Sequence, residues 1–328
     1  MRPIFVSDSG VKLEFRFYPL RFSFVAIEPV LFPAGKSANI LRGSFGLIFR
    51  RIACRPECPG ARVCEKRAEC PYARVFEPTA IGPGPSGLAD WPRPFVFRAA
   101  HLDGRTIPPG ESFHFDLHLF DLQLPAISYF VEAFSELTRE GLGPRRGFVA
   151  LTNVSQLSLD RQPAIRLFDG ENMLHPQGTP PEVLSLAPPP SAVSSVIVRF
   201  VTPTELKSAQ GATRGPESVP IPEFEILAAR VRDRISTLGR LYGDGPLWLD
   251  FRAFRQRAAA VRLKRCELKH VEAHRRSSRT GQIHPIGGFV GEVEYEGELT
   301  EFLPYLRAAC WTGVGRQTAW GKGEMEIR

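Results

Sequence analysis

A chain of 328 residues, 43% of them hydrophobic, is long enough to bury two cores of ordinary size, which excludes a disordered or fibrous polypeptide. No apolar run approaches the roughly 20 residues needed to cross a bilayer, and the opening MRPIFVSDSG lacks a secretory pattern, so a soluble cytoplasmic protein is expected. A formal charge of +7 favours a polyanionic partner.

In chain order, RFSFVAIEPVLF reads as an opening strand and SANILRGSFGLIFRRIAC as a helix with Ser37 or Asn39 near its cap. The stretch CRPECPGARVCEKRAECPY then places Cys54, Cys58, Cys64 and Cys70 within seventeen residues, with only Cys266 and Cys310 elsewhere. In a reducing compartment such crowding points to a metal rather than to disulfides. Four thiolates suit a tetrahedral structural zinc, which leaves no open position for catalysis. The gaps of three, five and five residues are not paired C-x-x-C, so an iron–sulfur cluster or free thiols are the alternatives. The cysteine-rich insertion spans about 54–78.

SFHFDLHLFDLQL alternates, predicting Phe113, Phe115, Leu117 and Leu119 on a buried face and His114, Asp116 and His118 facing solvent. Two His four apart on a strand stand about 13 Å from each other and cannot share one metal. AISYFVEAFSELTRE is an apolar-periodic helix, and GLGPRRGFVALTNV a glycine turn feeding a strand. The Pro-rich interval PQGTPPEVLSLAPPPSAVSS supports neither helix nor central strand and sets a boundary, giving domains 1–185 and 186–328.

In the second region SSVIVRFVTPTEL is a strand. PEFEILAARVRDRISTLGRLYG is a helix with Phe224, Leu227, Val231, Ile235, Leu238 and Leu241 on one stripe, ended by Gly243. Residues 251–270 suggest a further helix, its apolar side set by Phe251, Phe254, Ala258 and Val261. Residues 251–280 hold ten Lys or Arg against Glu267 and Glu272, a local net of +8 that leaves −1 for the remainder. That is the footprint expected of a phosphate-binding surface, or else a solvated basic face. GFVGEVEYEGEL puts Val293, Tyr295 and Leu299 on one face and Glu292, Glu294, Glu296 and Glu298 on the other, where phosphate is repelled. EFLPYLRAAC is a short helix before the closing TGVGRQTAWGKGEMEIR. Its glycines interleave with Arg316 and Lys322, as in a backbone that admits an anion closely, or in a tight turn before a last strand.

Both halves read as strand, helix, strands, helix, glycine turn, strand, each turn carrying G-x-G before a cation: Gly141, Gly143, Arg145 and Arg146, then Gly313, Gly315 and Arg316. This fits an α+β protein of two tandem ferredoxin-like (RRM-like) domains, with the cysteine-rich metal-binding loop in the first.

HRRSSRTGQIHPIGGFVGEVEYEGELTEFLPYLRAACWTGVGRQTAWGKGEMEI resembles the C-terminal domain of the CRISPR-associated endoribonucleases that process precursor crRNA, members of the RAMP superfamily. The R-x-S-x-R stretch, Gly287 and Gly288 followed by Gly291, and the final glycine pattern carry the likeness. ILRGSFGLIFRRIAC with the spaced cysteines and CPYARVFEP looks like the N-terminal half of a branch with a four-cysteine insertion.

The resemblance implies binding of CRISPR repeat RNA and its cleavage without a metal or other catalytic cofactor. The RNA's 2′-hydroxyl attacks, leaving a 2′,3′-cyclic phosphate and a 5′-hydroxyl. It implies RNA contacts at Arg275, Arg276, Arg279, Gly313, Gly315, Arg316, Gly321, Lys322 and Gly323. Many relatives carry a His near the first helix, where this chain has Lys36, Ser37 and Arg42. The catalytic candidates are therefore Lys36 and Arg42, or His274 and His284 reaching in from the second domain. A homodimer and a CRISPR effector complex are further partners to expect. A non-catalytic RNA-binding subunit of such a complex, or a DNA-binding zinc protein, are the competing classes.

Overall fold

The computed structural model describes residues 13–54, 57–78, 81, 91–123, 126–206, 222–276, 283–285 and 287–328, with the backbone alone at 275–276 and 283–285. The N-terminal decapeptide and Arg279 lie outside the described residues.

The first unit runs β1 (Glu14–Ala26), β2 (Val30–Leu31), α1 (Ser37–Ala53), α2 (Pro71–Val75), β3 (Phe95–Arg98), β4 (Thr106–Ile107), β5 (Ser112–Leu119), α3 (Ile127–Glu140), β6 (Val149–Leu157), β7 (Pro163–Phe168) and β8 (Glu182–Ser185). Its main sheet has the order β3-β5-β1-β6-β7, all neighbours antiparallel, with β8 on the first residues of β1 and the β2–β4 pair separate. Strand alternation builds the core: Phe22 and Phe24 of β1 stack on Phe115 and Phe113 at 5.2 and 5.4 Å between centroids. Above them Phe45 of α1 stacks on Phe130 of α3 at 4.0 Å, closing the layer of helices over this face.

The second unit runs β9 (Ser195–Thr204), α4 (Phe224–Tyr242), α5 (Phe251–Ala258), β10 (Arg262–Val271), β11 (His274–Arg276), β12 (Ile283–Pro285), β13 (Gly288–Glu296), α6 (Leu303–Thr312) and β14 (Met325–Ile327). Its order β10-β13-β9-β14 is the order β3-β5-β1-β6 of the first unit, element for element, so both halves are ferredoxin-like. The two G-x-G turns are equivalent in space. Gly141 and Gly313 cap α3 and α6 at φ of 80° and 70°. Gly143 and Gly315, both at φ 81°, press on the main chain of Leu31 and Glu205, just beyond the first strand of each unit.

One expectation about the elements is corrected. Residues 251–270 form a helix only to Ala258; from Arg262 the chain is the edge strand β10. Phe254, Ala258 and Val261 do go to the core, but the charges beyond them suit a sheet edge, where they block pairing with another chain. The Pro-rich interval forms neither a helix nor a central strand; four of the six residues between Pro181 and Pro188 make the short strand β8 beside the start of β1.

The units share a core. Phe15, Phe17, Val96 and Phe120, on the back of the first sheet, pack with Val196, Val231 and Trp311 of the second unit. This corrects His118, expected to face solvent: it is 1% exposed because Trp311 covers it at 4.9 Å. Its neighbours on that face stay polar, His114 stacking on His101 at 4.7 Å and Asp116 accepting two hydrogen bonds from Arg21.

Candidate functional site

The last turn of α6 ends in carbonyls with no helical partner. The Trp311 carbonyl accepts from His118 Nδ1 at 2.8 Å and Arg98 Nη2 at 3.2 Å, both from the first unit, and Thr312 from Arg234 Nε at 2.8 Å. Arg161 lies over the Trp311 ring at 4.9 Å. Positive groups thus meet the negative end of α6 and fix the glycine segment that follows it against the first unit. Burial lowers the Arg98 and His118 pKa values and raises that of the adjacent Glu324, the nearby charges of Arg98 and Arg161 opposing the rise.

Beyond α6 the segment folds over the start of α1. Gly321 lies so close that a Cβ there would stand 2.2 Å from the Ala38 Cβ, and its φ of 78° disfavours other residues. Asp103 accepts from the Ser37 backbone N–H at 2.9 Å and the Ser37 hydroxyl at 2.5 Å, supplying the cap that α1 itself lacks. Lys322 is 4% exposed, its pKa lowered by burial and partly restored by Asp103.

Arg42 is 6% exposed, its guanidinium 4.5 Å from the Phe76 ring and 5.6 Å from that of Trp320. It fastens α1 to the C-terminal segment and is not a surface cation, whereas Lys36 is exposed at the mouth of the seam. His101 is exposed two residues before Asp103, and its Nε2 bonds the His114 carbonyl at 2.8 Å. It is close enough to Glu324 to influence that carboxyl. Sequence reasoning missed His101 because it is distant from α1 in the chain; only the Asp103–Ser37 bond places it at that helix.

The remaining candidates arrive at the same end of the second sheet. The hairpin pairs His274 with Pro285, Arg275 with His284 and Arg276 with Ile283. It springs from β10 and β13 where Gly288 faces Val271 and Phe289 faces Thr204, beside the Glu205 main chain that meets Gly315. His274 is exposed. Within the closing segment Gly313, Gly321 and Gly323 are buried by protein packing, Gly315 is half-buried, and Arg316 is exposed with Glu205 at 3.3 Å.

Part of the basic run is paired with carboxylates. Arg257 pairs with Glu301 and Lys264 with Glu294, both at 2.7 Å, Arg255 meets Glu225, and Arg262 stands 3.9 Å from Glu296. The acidic face of β13 and the basic strand β10 are adjacent strands, so each cancels the field of the other.

Cys54, at the C-cap of α1, has its thiol pKa raised by burial and by the neighbouring thiols of Cys70, the N-cap of α2, and Cys58. Cys64 joins these three in lining a cavity of about 650 Å³. Among the described residues no three Cys, His, Asp or Glu side chains stand arranged to hold a metal ion. No described helix is long and apolar enough to cross a membrane.

The repeated fold and turn define a tandem ferredoxin-like protein. Residues 198–325 match the family model of the CRISPR-associated endoribonuclease Cas6, and residues 15–179 match that of the AF_1859_N N-terminal domain. No curated protein matches the chain. Thermus thermophilus Cas6 in a product complex is similar with a TM-score of 0.55 and 17% identity, over 97% of this chain and all of that one. A second structure of that protein gives 0.51 and 16%, over 98% and 100%. A partial Cas6-RT-Cas1–Cas2 complex gives 0.55 and 12%, over 96% of this chain and 46% of that one. The likenesses bear on the fold, and the family models on kinship. Residues 198–325 thus carry a CRISPR-associated Cas6 endoribonuclease domain, which supports an RNA-cleaving enzyme of that type.

Proposed function

We propose that the chain processes precursor crRNA at the seam where the C-terminal segment closes over the start of α1. The observation that carries this reading is the course of the C-terminal segment, which lies on the start of α1 at Gly321, near exposed Lys36 and the Asp103 cap that follows His101, and meets Glu205 at Gly315, next to the strands from which the β11–β12 hairpin springs. A phosphodiester cleaved by its own 2′-hydroxyl needs a base for that hydroxyl, an acid for the departing 5′ oxygen and a cation for the charge developing on phosphorus. His101 offers an imidazole as the proton-transfer group, and Lys36 an ammonium for the charge developing on phosphorus. Arg42 positions them by joining α1 to Trp320. The hairpin cations Arg275 and Arg276 hold the RNA backbone, with Arg279, which lies outside the described residues, as the third expected contact. His274 and His284 on that hairpin are the second source of a proton. No metal takes part in the reaction on this reading.

The test incubates the full chain with labelled CRISPR repeat RNA in EDTA, and again with a 2′-deoxy nucleotide at the cut site. Cleavage to a 2′,3′-cyclic phosphate, abolished by the deoxy substitution, is expected. Tight binding without product would make the chain an RNA-binding subunit instead, and preference for duplex DNA would overturn both. A larger CRISPR assembly as partner is checked by co-purification.

A further inference from the structure

We propose that Cys54, Cys58, Cys64 and Cys70 form a structural zinc site that clamps the C-terminal end of α1 to α2. The endoribonuclease reading does not require it. Two of the four thiols sit on fixed elements. Cys54 ends α1, whose Phe45 and Phe49 are fully buried in the first core. Cys70 begins α2, which is fastened by buried Tyr72 and Val75 and by the ion pair of Arg74 with the fully buried Asp121. Cys54 and Cys70 line the same cavity from these two helix ends, so two of the four ligands stand on elements that the core already fixes.

The other two thiols ride on a loop with little core of its own. Of residues 57–69 only Ala61 is buried, and the backbone there is a chain of tight turns, Cys64 N–H to Gly60 O at 3.0 Å and Arg67 N–H to Cys64 O at 3.2 Å. Drawing Cys58 and Cys64 onto the helix-end pair therefore disturbs little packing, and a bound ion supplies the ordering that apolar contacts do not. All four cysteines line one cavity, together with Glu57, Glu65 and Glu69 and no imidazole, and of these donors the thiolates are the softer set. A tetrathiolate around a divalent ion carries two negative charges, to which residues 57–69 add none on balance, Arg62, Lys66 and Arg67 standing against Glu57, Glu65 and Glu69. Four protein ligands leave no place for substrate or water, so the role is to hold the helix whose opposite end bears Lys36.

The full-length protein, expressed with added zinc and purified without chelator, is assayed for metal by elemental analysis. One zinc per chain is expected, released by a mercurial thiol reagent together with a fall in Tm. Cobalt substituted into the wild-type protein should give the ligand-field spectrum of a tetrahedral tetrathiolate, and the Cys58→Ser/Cys64→Ser double variant should lose the metal. Iron with visible charge-transfer bands, a metal-free protein with these cysteines disulfide-linked, or zinc fully retained by the double variant would each overturn the assignment. If the double variant does not fold, the wild-type cobalt spectrum decides alone, since nitrogen- or oxygen-rich coordination would overturn it too.

Discussion

His118 Nδ1 donates to the Trp311 carbonyl across 2.8 Å, joining the third strand of one ferredoxin-like unit to the last helix turn of the other. A donor at Nδ1 serves this bond while the ring stays neutral. Burial first, and then the neighbouring Arg98 and Arg161, hold its pKa well below the usual histidine value, the Trp311 bond opposing them. A base depressed in the folded state contributes stability that is complete above the unfolded pKa near 6.5 and is lost as pH falls. Glu324, raised by burial, works in the opposite sense. Urea unfolding of wild type and His118→Gln at several pH values from neutral downward isolates the histidine. The difference between the two proteins should narrow as the solution is acidified, and a constant difference would remove His118 from the acid response.

Trp311 fills the joint, 5.0 Å from Phe17 and 4.9 Å from His118 between ring centroids. Trp311→Ala should cost about 3–5 kcal/mol, as for other buried aromatics cut to alanine. The loss should appear as uncoupled unfolding of the two units, read as two transitions in calorimetry where the wild type shows one.

Gly321→Ala tests the seam, because the added methyl meets Ala38 and the backbone at φ 78° resists it. RNA cleavage should fall at least tenfold while the far-ultraviolet circular dichroism spectrum is unchanged. Gly178→Ala, at a positive φ in open space, is the control for strain without collision. Equal loss in both variants would deny the close packing any special role.

His101→Ala should reduce the cleavage rate by about 100-fold or more at unchanged RNA affinity, in line with loss of a general acid or base. Lys36→Ala should lower the rate as well, in line with loss of a cation that meets the charge developing on phosphorus. A full rate in His101→Ala would transfer proton transfer to His274 or His284, which the corresponding single variants would then reveal.

Salt dependence separates the paired cations from the hairpin. Arg275→Ala/Arg276→Ala should weaken RNA binding and flatten its dependence on salt, since each lost phosphate contact releases fewer counterions. Lys264→Ala should leave both nearly unchanged, because Glu294 already holds that ammonium at 2.7 Å. Equal effects would restore the whole basic run as the RNA surface.

Local pattern in the chain determined the elements and their order. Alternation in 112–119 and 288–296 and the stripe of α4 each named a buried face, because side-chain periodicity depends only on neighbours along the backbone. The paired G-x-G turns announced the duplication for the same reason, a helix end followed by a left-handed residue being a short-range structure. What tertiary structure alone decided was which polar residues meet. His118 looked solvent-facing until Trp311 was laid over it. The charges of β10 looked free until β13 was paired beside them, and His101 was far from α1 until Asp103 bonded Ser37. Burial and electrostatics are sums over spatial neighbours, and these come from parts of the chain whose approach no local pattern encodes.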